Sequence, residues 1–69
     1  MNNELVFVIF CIENYKVYRG LTGKETLKLF VDSGVFDYLV ENYGVLHTTG
    51  IHYIIKDIDE FLEIRGIKV

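Results

Sequence analysis

The 69-residue chain carries a net charge of −3, with 51% hydrophobic and 25% charged residues and no proline. That is too apolar for a disordered segment and enough for one domain, so residues 1–69 are expected to form a single helical unit. A core this small gives only roughly 3–5 kcal/mol without disulfide, metal or partner, which makes a partner an attractive source of further stability. The charge is uneven: the first 34 residues balance, whereas the remainder carries three bases against six acids. An acidic half disfavours phosphate neutralisation and hence nucleic-acid binding. Cys11 is alone inside an apolar run and reads as a small buried hydrophobe, consistent with a reducing cytoplasm.

The start, Met1-Asn2-Asn3-Glu4, lacks a positive leader, and Leu5–Ile12 is shorter than the roughly 20 apolar residues of a membrane span, so neither a signal peptide nor a membrane helix is expected. Leu5–Ile12 is apolar on every side. It reads as the middle of a first helix, about 3–19, opened by an Asn cap and Glu4, although a buried strand has the same composition. A helix of this kind is either wrapped by its neighbours or leaves one face for another chain.

Thr22-Gly23-Lys24-Glu25 fits a capping box and starts a second helix, about 23–33, with Leu27, Phe30 and Val31 as its buried stripe and Leu29 opposite. Ser33-Gly34 separates it from a third helix, about 35–43, whose Phe36, Leu39, Val40 and Tyr43 share a face. Gly44 is read as its C-terminal cap with Val45 in the accompanying hydrophobic contact. After His47-Thr48-Thr49-Gly50 comes a fourth helix, about 50–65. Its Ile51, Ile54, Ile55, Ile58, Phe61 and Leu62 recur at helical steps, with Tyr53 and Ile64 on the far side. The prediction is an all-α bundle of four helices.

Candidate chemistry is sparse. Gly20–Thr26 faintly echoes a phosphate-binding loop, but Glu25 stands directly after Lys24 where a hydroxyl is needed, and capping explains the segment better. The Ser33-Gly34 turn could belong to a DNA-reading pair, yet its second helix would present Asp37, Tyr38, Glu41 and Asn42, two acids and no base. His47 and His52 lie five apart, a poor zinc spacing, and no metal or other cofactor is expected. No serine or cysteine has a nameable base and oxyanion hole, so no catalytic residue is assigned and the protein is read as a non-enzyme.

The segments Phe7–Tyr15, Leu29-Phe30, Gly34-Val35 with Asp37-Tyr38-Leu39, Tyr43–Gly50, Tyr53-Ile54-Ile55 and Asp57-Ile58 together resemble an uncharacterised family of small bacterial proteins. The most distinctive piece is Tyr43–Gly50. The resemblance implies a small partner encoded beside an ADP-ribosyltransferase-like protein in a toxin–antitoxin type of gene pair. It is joined here to a residue-level expectation of a non-catalytic protein-binding module, contacting its partner through Tyr43, His47, Thr48, Thr49, His52 and Tyr53, and self-associating as a homodimer through the first helix. Alternatives are a small-ligand or enzymatic site centred on His47, and a DNA-binding regulator. For the loop, the competing explanation is that His47 and the threonines merely cap the last helix.

Overall fold

The computed structural model describes residues 2–69, and it is helical throughout. Five helices follow one another: α1 Asn3–Arg19, α2 Gly23–Ser33, α3 Val35–Glu41, α4 Tyr43–Leu46 and α5 Ile51–Ile64. The all-α expectation holds, but the four-helix count does not. Gly44 is no cap: the left-handed glycines are 20, 34 and 66, and Gly44 lies inside the single turn of α4. The chain breaks two residues earlier, at Asn42 (φ −106°, ψ 15°), whose side-chain amide donates to the Tyr38 carbonyl at 2.8 Å. Asparagine competes in this way with the helical ladder. The next residues then re-enter a helix, Leu46 and His47 N–H donating to the Asn42 and Tyr43 carbonyls. Burial of Leu46 accompanies this extra turn, whereas Val45, expected in a cap contact, is exposed.

The helix ends follow local chemistry. Asn2 Oδ1 accepts from Leu5 N–H at 2.7 Å to open α1, and both halves of the Thr22/Glu25 capping box form at α2. Leu21 N–H donates to the Lys16 carbonyl and Ile67 N–H to Leu62, six-residue closures around left-handed Gly20 and Gly66 that end α1 and α5. α5 starts differently: its N-cap is Gly50, with no side-chain hydrogen bond.

α1 is central and packs on α2, α3 and α5. The core consists of Phe7, Val8, Cys11 and Tyr15 from α1, Phe30 from α2, Val35 and Leu39 from α3, Leu46 from α4, and Ile54, Ile58 and Leu62 from α5. On α2 the stripe is rotated from expectation. Thr26, Phe30 and Ser33 face inward, Leu29 packs against the core, and Leu27 and Val31 are exposed. Small polar Thr26 and Ser33 are accommodated because their hydroxyls donate to the carbonyls of Thr22 and Phe30.

This rotation is measurable. Phe30→Ala should remove about 3–5 kcal/mol by leaving a cavity, close to the whole stability of so small a domain. Leu27→Ala should change stability by less than about 1 kcal/mol, since its side chain already meets water. Urea unfolding monitored by far-ultraviolet circular dichroism would separate the two, and equal losses would contradict the assigned α2 face.

Candidate docking groove

Two faces of α1 have different fates. Phe7, Val8, Cys11 and Tyr15 are buried, while Leu5, Val6, Ile9 and Phe10 remain 38%, 52%, 43% and 48% exposed. These four exposed residues sit at i, i+1, i+4 and i+5, so they form one contiguous apolar strip along the helix. It contains no charged residue.

Beside this strip lies a groove of about 310 Å³ between α1 and the α4–α5 junction. Val6, Phe7 and Phe10 form one wall, and Tyr43, His47, Thr49 and Ile54 the other, with Asn3 at the end. Phe7 meets Tyr43 edge to face at 5.5 Å between ring centroids, and Tyr43 carries His47 stacked on it at 4.3 Å. The rings therefore hold one another in place.

The junction loop is ordered by its own side chains. His47 Nδ1 is 2.6 Å from the Tyr43 carbonyl oxygen, Thr48 Oγ1 is 2.8 Å from that of Val45, and Thr49 Oγ1 is 2.7 Å from that of Leu46. A carbonyl only accepts, so all three side chains donate, and His47 is held with its proton on Nδ1. They cap the C-terminal carbonyls of α4. They do not cap α5, as the simpler reading of the loop had it. Of the six sequence-derived contact residues, Tyr43, His47 and Thr49 line the groove, and Thr48 and His52 are exposed nearby in sequence without lining it. Tyr53 is instead at a separate shallow depression with Lys56, Asp57 and Glu60.

A larger depression of about 530 Å³ lies between Arg19, Asp59 and the final residues. Two of its lining groups, Arg19 and Asp59, are already paired: Asp59 accepts from Tyr15 at 2.6 Å, Arg19 at 3.0 Å and Tyr18 at 3.1 Å. Sequence reading missed this cluster. Tyr15, Tyr18 and Arg19 share a helical face at i, i+3 and i+4, but nothing in the chain announces which acid they meet. Partial burial disfavours the Asp59 carboxylate, yet the three hydrogen bonds outweigh it and hold the carboxyl below its ordinary range. Burial also pushes the Cys11 thiol up to about 12, leaving it protonated and unreactive at neutral pH. Among the described residues, no group of three or more His, Cys, Asp or Glu side chains converges as a metal site would require. No helix among them is long and apolar enough to cross a membrane.

A family model matches residues 6–65 of the chain. The chain belongs to this family, described as "Protein of unknown function (DUF3791)". The DUF3791 match includes both walls of the groove, from Val6 to Ile54, and the Asp59 cluster. No curated protein matches the chain. No solved structure matches it either.

The Asp59 cluster gives a pH dependence of definite sign. A carboxyl depressed in the folded state adds stability that is present above its unfolded value, about 3.9, and is lost as pH falls through the lower folded value. Asp59→Asn should therefore destabilise by about 1–3 kcal/mol at pH 7, and by progressively less below about pH 4. Urea midpoints of both proteins across that range would show the gap narrowing, and a constant gap would contradict the ionised Asp59 anchor.

Proposed function

We propose that this protein is a non-catalytic protein-binding module that docks through the outward strip of α1 and the adjoining groove. The observation carrying this reading is the contiguous exposure of Leu5, Val6, Ile9 and Phe10 on a central, capped helix. The largest contiguous apolar patch on a protein surface is often its interaction site. Aromatic anchors beside an apolar strip, ringed by polar His47, Thr49 and Asn3, have the layout of an interface core with a polar rim.

The partner we propose is the product of a neighbouring gene, an ADP-ribosyltransferase-like protein in a toxin–antitoxin type of pair, with this chain as the neutralising or regulatory member. Acting by steric cover needs no chemistry of its own, only a stable apolar face and an acidic body. In the absence of that partner the same strip supports self-association, α1 against α1, in a cytoplasmic homodimer.

Ile9→Asp tests the strip without touching the groove walls. It should weaken association with the neighbouring gene product by at least about tenfold, as the loss of a central contact does, while helix content stays unchanged. Titration calorimetry and light scattering would read this effect. A wild-type chain that stays monomeric and does not bind that product would sink the reading.

A further inference from the structure

We draw no further inference here: the strongest candidate, the groove between α1 and the α4–α5 junction, belongs to the docking site already described, and with a rim that both donates and accepts, nothing in the structure shows what covers it.

Discussion

α1 carries more apolar surface than the rest of the chain can cover. The molecule measures only 28 × 23 × 20 Å, and a 17-residue helix is about 25 Å long, so α1 runs nearly the full length of the body. The other four helices total too little chain to wrap it. They close over Phe7, Val8, Cys11 and Tyr15 and stop. Leu5, Val6, Ile9 and Phe10 are the remainder of the same helix, left in water by the geometry of a small bundle.

The rest of the structure positions that exposed face. Asp59 gathers Tyr15, Tyr18 and Arg19 and fastens the C-terminal half of α1 to α5, while Tyr38 donates to Asp57 at 2.6 Å and stacks near Phe61, fastening α3 to the same helix. At the other end, Phe7 against Tyr43 joins α1 to α4, and the side chains of His47, Thr48 and Thr49, bonded back to the carbonyls of α4, close the junction. No buried side-chain polar atom among the described residues lacks a partner. Around the groove, Phe7, Tyr43, His47 and Thr49 are held by ring contacts and hydrogen bonds within the chain, a favourable property for a docking surface because groups already held in place need less ordering on binding.

Much of this organisation is legible in the chain. α1 is foretold by its Asn cap and Glu4, although its apolar run alone has the composition of a buried strand, α2 by its capping box, and α5 by six apolar residues at regular steps, all local signals. What escapes is whatever depends on a tertiary partner. Leu27 and Val31 look like core by spacing, but Thr26 and Ser33 take the inward positions by bonding their hydroxyls to their own helix. Gly44 looks like a stop, yet Asn42 breaks the helix first and the chain resumes. In the Tyr43–Tyr53 stretch the residue types suggest a contact surface, and the turn of α4 decides which of them meet: Tyr43, His47 and Thr49 join Phe7 and Phe10, and Tyr53 is turned away. The Asp59 cluster required the fold before its members could be matched.

The central claim is that the outward strip of α1 is covered by another protein when this chain is at work. Photo-crosslinking in the native host, with a photoreactive residue at position 9 and a control at exposed position 24 of α2, examines that surface directly. The account predicts a discrete protein adduct from position 9 and none from position 24. Absence of any adduct at position 9, or the same pattern from both positions, would contradict it.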